Sequence, residues 1–195
     1  TLTVMFSVVT SLAFSTRQQV EVWQNPLTLW NQAVLSYPKH VFARNNLAIT
    51  QLNQGNFESA AHHFEESERL LPNEITVLAW RGLTYLHLGR YEDAIKDQIN
   101  LGMTAETMPE LKVDQYCIQY NIGWLYMRMD MLEEAFELFS RVDPKSRSGP
   151  DAVIWLERLK KKGQTPDNQL VQQELPSFCK TLIPSEVRIS GIWQE

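Results

Sequence analysis

Cysteine is nearly absent: the 195 residues contain two, Cys117 and Cys179. Far apart in the chain, they give neither a disulfide framework nor a zinc-ligand spacing. A basic surplus is missing too. The net charge is −5, which argues against nucleic acid as the partner, because phosphate binding needs a basic stripe. The one basic run, Arg158 to Lys162, falls where a helix should end and there offsets the helix dipole. Catalytic signatures are also absent: no phosphate-cradling glycine loop, no Gly-x-Ser-x-Gly elbow, no His-Glu-x-x-His. His62, His63, Glu65 and Glu66 are near neighbours on one predicted helix, but adjacent helical residues point in different directions and cannot converge on one ion. The segment is therefore expected to be no enzyme, with no cofactor and no metal.

What is present is a folded, repeated pattern. Hydrophobic residues make up 44% and charged residues 21%, a balance that supports a packed core. Shifting the chain by 34 residues aligns Ala48 with Gly82, Leu52 with Leu86, Gly55 with Gly89, Phe57 with Tyr91 and Ala60 with Ala94. A shift of 41 aligns Gly82 with Gly123, Tyr85 with Tyr126, Tyr91 with Leu132 and Ala94 with Ala135. The extra seven residues fall in Gly102 to Pro109, whose glycine and proline predict a loop or a lengthened helix end. A backward shift of 34 pairs Trp23 with Phe57, Trp30 with Phe64 and Pro38 with Pro72. Asn25 followed by Pro26 is a helix start: the asparagine caps, and proline suits the first helical position.

This period, with small residues, aromatics and a closing proline at fixed offsets, resembles the tetratricopeptide repeat family. The resemblance implies an all-α fold, a tetratricopeptide-type α-solenoid of antiparallel helical hairpins with a right-handed superhelical twist. The expected organisation is an apolar segment over 1–22 and a repeat array over 23–149, made of a partial unit (23–40) and full units (41–74, 75–108, 116–149). A capping helix over 150–163 and a tail over 164–195 follow. Gly or Ala at 48, 82 and 123, opposite Ala60, Ala94 and Ala135, should let paired helices approach closely. Gly55 and Gly89 should turn through the left-handed region, with Asp130 as a tolerable substitute. Arg81 and Gln98 replace residues usually apolar in the family, which predicts looser packing in the middle unit.

The resemblance also implies a concave groove lined by the first helix of each hairpin. Carried over position by position, it consists of Phe42, Asn45, Ile49, Leu52 and Asn53; then Ala79, Leu83, Leu86 and His87; then Cys117, Tyr120, Trp124, Met127 and Arg128. Such a lining suits an apolar or helical peptide of a protein partner, and alanine at Tyr120 and Trp124 is expected to abolish binding while the helices persist. Occupation of the groove by the chain's own apolar N-terminal helix or tail stays open. A carboxylate clamp is disfavoured: Asn46 and Asn121 fit one, but its lysines are missing.

Residues 1–16 carry no charge. They read either as the end of a membrane-spanning helix or as an amphipathic helix buried on the first repeat. A span needs about 20 apolar residues, so membrane anchoring through 1–16 also calls for sequence upstream of Thr1. The passage from this run through Thr16-Arg17, Val22-Trp23, Leu29-Trp30 and Pro38 into Ala43-Arg44-Asn45-Asn46-Leu47-Ala48 resembles the junction in membrane proteins whose last span feeds a tetratricopeptide array, including the transmembrane-and-tetratricopeptide O-mannosyltransferases. That implies a non-catalytic, membrane-associated scaffold on the extracytoplasmic side, periplasmic or lumenal. The alternative is an acceptor-presenting accessory region of a membrane glycosyltransferase.

Overall fold

The structure, a computed structural model, describes residues 2–108 and 113–161. Everything regular in them is helix: α1 (Leu2–Gln24), α2 (Pro26–Ser36), α3 (Val41–Asn53), α4 (Phe57–Leu70), α5 (Ile75–His87), α6 (Tyr91–Thr107), α7 (Gln115–Arg128), α8 (Leu132–Ser140) and α9 (Gly149–Lys161). They form two compact units, one ending at Leu71 and the other beginning at Pro72. The tail expected over 164–195 lies outside the described residues.

Local chemistry explains where these helices start and stop. The Asn25 side chain accepts the Leu27 amide at 2.9 Å ahead of Pro26. Glu74 accepts the Thr76 and Val77 amides at 3.1 and 2.8 Å, and Asp114 accepts that of Tyr116 at 2.9 Å. Each satisfies amide hydrogens that a helix N-terminus leaves without partners. The turns within α3–α4, α5–α6 and α7–α8 share one closure. The amides of Asn56, Arg90 and Met131 reach back to the carbonyls of Gln51, Tyr85 and Tyr126 at 2.9, 2.9 and 3.0 Å. The left-handed residue this closure requires is Gly55 (φ 79°), Gly89 (φ 71°) or Asp130 (φ 61°).

In the first unit, Leu47, Ala48, Ala60 and Phe64 are buried between α3 and α4. In the second, Gly82 faces Ala94 and Gln98 across α5–α6, and Gly123 lies against Leu138 and Phe139 across α7–α8. A fully buried aliphatic or aromatic side chain contributes about 1.5–3 kcal/mol, so these small-residue contacts are what allow Phe64 and Phe139 to be sealed.

One expectation changes in the second unit. The middle hairpin is not loosened by its polar residues. Arg81 and Asp97 form a buried two-pronged ion pair at 2.9 and 2.7 Å, and the fully buried Gln98 accepts from Asn121 of α7 at 3.3 Å. The seven extra residues lengthen α6 to Thr107, with Gly102 inside the helix where Ile118 of α7 approaches it. Cys117 is buried in α7.

Helix α1 departs from the hairpin pattern. It runs straight past the position where the other units turn, and from Leu2 to Arg17 every residue is exposed. It is therefore not the buried amphipathic helix of one expectation. As for the other, no helix among the described residues is long and apolar enough to cross a membrane. Helix α2 buries no residue fully.

Candidate functional site

Because an α-helix repeats every 3.6 residues, positions i, i+4, i+7 and i+11 line one stripe. On α3 that stripe is Phe42, Asn46, Ile49 and Asn53. On α5 it is Thr76, Trp80, Leu83 and His87, and on α7 it is Cys117, Asn121, Trp124 and Arg128. The three stripes occupy the same repeat positions, yet their surroundings differ.

On α3, Phe42 stands 58% exposed, propped edge-on by Trp30 at 5.9 Å and by His40 at 6.4 Å. Ile49 is half-buried and Asn53 exposed, whereas Asn45 and Leu52 are buried. On α5, Leu83 is half-buried and His87 exposed, while Ala79 and Leu86 belong to the core. Burial against neighbouring apolar surface still lowers the His87 pKa below the ordinary histidine value. Thr76 and Trp80, half-buried, complete the α5 stripe. Sequence reasoning passed over both, although the helical spacing from Leu83 points straight to them.

On α7 the expected lining is core. Cys117, Tyr120, Trp124 and Met127 are each at most 4% exposed. The last three cluster with Ala135, Phe139, Val142, Ala152 and Trp155. Tyr120 tilts against Phe139 at 5.6 Å, and Trp124 meets Trp155 of α9 edge to face at 6.5 Å. Alanine at Tyr120 and Trp124 would open this core, so their loss reports on stability rather than on a surface. Arg128 alone reaches outward from this stripe. Its Nε and Nη2 donate to the Tyr91 hydroxyl at 3.3 and 2.9 Å, and its guanidinium lies 5.6 Å from the Tyr91 ring and 5.7 Å from that of Trp124. Tyr91 is thus a positioning residue that the sequence reading did not include.

The first unit holds one further polar contact. Arg44 Nη1 of α3 lies 3.4 Å from His63 Nδ1 of α4. Burial, with the positive charge of Arg44 and the neighbouring His62, keeps the His63 pKa below the ordinary value.

Comparison with known proteins bears on the fold. A family profile described as tetratricopeptide repeat matches residues 45–101. Among solved structures, the crystal structure of MamA is similar over 88% of this chain and 94% of that one, with 14% identity and a TM-score of 0.60. The MamA RS-1 ArsTM double mutant is similar over 80% of this chain and 96% of that one, with 15% identity and a TM-score of 0.53. No curated protein matches the chain. The fold is thus an all-α, tetratricopeptide-type solenoid of helical hairpins.

Proposed function

We propose that the chain is a scaffold that binds a peptide segment of a protein partner on the exposed stripe of α3 in the first unit or on that of α5 in the second, each taken by itself. The observation that carries this is the difference between equivalent positions. Ile49 and Leu83 are held half-open with Phe42 and Trp80 beside them on their own helices, whereas their α7 counterpart, Trp124, is sealed. An apolar stripe at helical spacing, flanked by Asn53 or His87, suits the apolar face of an amphipathic helix. No feature of the described residues favours the acceptor-presenting alternative.

The test is a screen of displayed amphipathic peptides against the purified chain, followed by titration of a selected peptide. Leu83→Glu and Phe42→Glu each place a charge on an exposed stripe. At least one should weaken binding about tenfold or more, as expected when a charge opposes an apolar contact, with unchanged helical circular dichroism. Unchanged affinity in both variants would remove these stripes as the docking surface.

The same reading places the hairpins outside a membrane, on its extracytoplasmic side. Its support is the junction leading from the uncharged run into the first repeat. In sealed microsomes the hairpins should resist added protease until detergent opens the membrane; digestion without detergent would overturn this side.

A further inference from the structure

The second helices of the three hairpins, α4, α6 and α8, occupy equivalent repeat positions, and α6 departs from the other two. Neither α4 nor α8 exposes a large apolar side chain, whereas α6 leaves Ile99 46% and Met103 63% exposed. A shift of 34 residues puts Glu65 and Arg69 of α4 at those two positions. Charged residues suit a helix face turned to water. Ile99 and Met103 instead call for a cover.

The residues on either side of them specify what that cover is. Lys96, Ile99, Met103 and Glu106 follow one another at i, i+3, i+7 and i+10, the spacing of a single seam along a helix, and all four are exposed. Along the helix the stripe runs cation, apolar, apolar, anion. Its acidic end exists because α6 is lengthened. Helix α4 stops at Leu70, while the extra residues carry α6 on to Thr107 and place Glu106 in the added turn. The Lys96 ammonium lies 3.3 Å from the Asp93 carboxylate in an exposed pair, a contact of the kind that contributes little and leaves the lysine able to turn elsewhere.

A two-fold axis between Ile99 and Met103 lays this stripe on a copy of itself. In that antiparallel arrangement Ile99 meets Met103 of the second copy, and Lys96 meets Glu106 of the second copy, each pair occurring twice. A parallel arrangement would instead set lysine against lysine and glutamate against glutamate. Charge thus selects the direction as well as the occupant. An anionic lipid surface would attract one end of the stripe and repel the other. An unrelated protein partner does not require a charge order that is its own complement, and a second copy does.

We propose that α6 is a self-association element, through which two copies of the chain pair antiparallel along Lys96, Ile99, Met103 and Glu106. A seam of about three helical turns buries less than the roughly 1,200 Å² of a standard interface. The dimer therefore belongs to the weak, exchanging class, and its population follows concentration.

Sedimentation velocity of the full chain tests this. The parent should be monomeric at about 1 μM and largely dimeric at about 300 μM, as expected for a small interface. Lys96→Glu and Glu106→Lys each set like charges opposite one another at two places. Each variant alone should weaken the dimer about tenfold or more, with unchanged circular dichroism because both positions are exposed. An equimolar mixture of the two restores opposite charges across the seam and should dimerise like the parent, as should the double variant Lys96→Glu, Glu106→Lys. Leu83→Glu should also dimerise like the parent, which separates this element from the peptide-binding stripes. A parent that stays monomeric throughout would overturn the proposal and leave the α6 stripe to a different cover. Association that survives both single variants would overturn it in favour of another surface. Loss of the dimer in the single variants without recovery in the mixture or the double variant would reject the antiparallel pairing.

Discussion

Gly123 and Gly82 hold the same repeat position but tolerate a methyl group differently. A Cβ on Gly123 would sit 2.9 Å from the Phe139 ring, whereas one on Gly82 would meet the movable amide of Gln98 at 3.2 Å. Alanine gains about 1 kcal/mol of helix propensity at either site, and overpacking costs about 1–3 kcal/mol where neighbours cannot yield. Gly123→Ala should therefore be the less stable of the two variants by about 1–2 kcal/mol in urea titration. Asp130 presents the opposite case. Its φ of 61° lies where Gly55 and Gly89 stand in the equivalent turns, so Asp130→Gly should raise stability by about 0.5–1 kcal/mol. The buried Arg81–Asp97 pair belongs to a third class. Asp97→Asn, which removes the charge opposite the guanidinium, should cost about 3–5 kcal/mol, while replacing both residues by apolar ones of similar volume should cost far less. Small residues and turns were legible in the sequence because their role is local. Arg81 was misread because its compensation, Asp97, lies on the other helix of the hairpin, at a distance no helical spacing reveals.

For individual helices and hairpins, the repeat period pointed to the turns at Gly55, Gly89 and Asp130, where the backbone is left-handed. Capping and left-handed turns depend on only a few adjacent residues. The free faces were a different matter. Ile49, Leu83 and Trp124 are equivalent by period, and only the packing of α8 and α9 makes the third a core residue. A sequence pattern names the face of a helix but not what lies over it. The α3–α4 hairpin carries a pH dependence that follows from His63. Its pKa is lowered in the folded chain by burial and by Arg44 and His62, while in the unfolded chain it returns to about 6.5. The unfolded state therefore takes up the proton first as pH falls. Stability is retained above the unfolded value, declines as pH drops below it towards the lowered folded value, and levels off beneath that. The urea midpoint should accordingly be lower at pH 5.5 than at pH 7.5, and His63→Gln should shrink that difference. An unchanged difference in the variant would assign the dependence to another group.

Across the whole molecule, protection should follow burial. Exchange rates reflect local opening, and opening is easiest where few apolar side chains are sealed. Peptides from α1 and α2, in which no described side chain is fully buried, should exchange fastest among the described helices. Those from α5 and α7, each with nine buried residues, should exchange slowest. Hydrogen exchange measured by mass spectrometry checks this order. An early-exchanging α7 would mean that the Trp124–Trp155 seal is looser than its geometry implies.

That seal also sets a rule for engineering. Trp155 of α9 covers the apolar surface formed by Tyr120, Trp124 and Phe139, so a hairpin meant to stack on that surface has to displace α9. Among the described residues, a spliced module would enter between α8 and α9, in the stretch from Asp143 to Ser148, bringing its own small-residue contacts and keeping α9 over its last face.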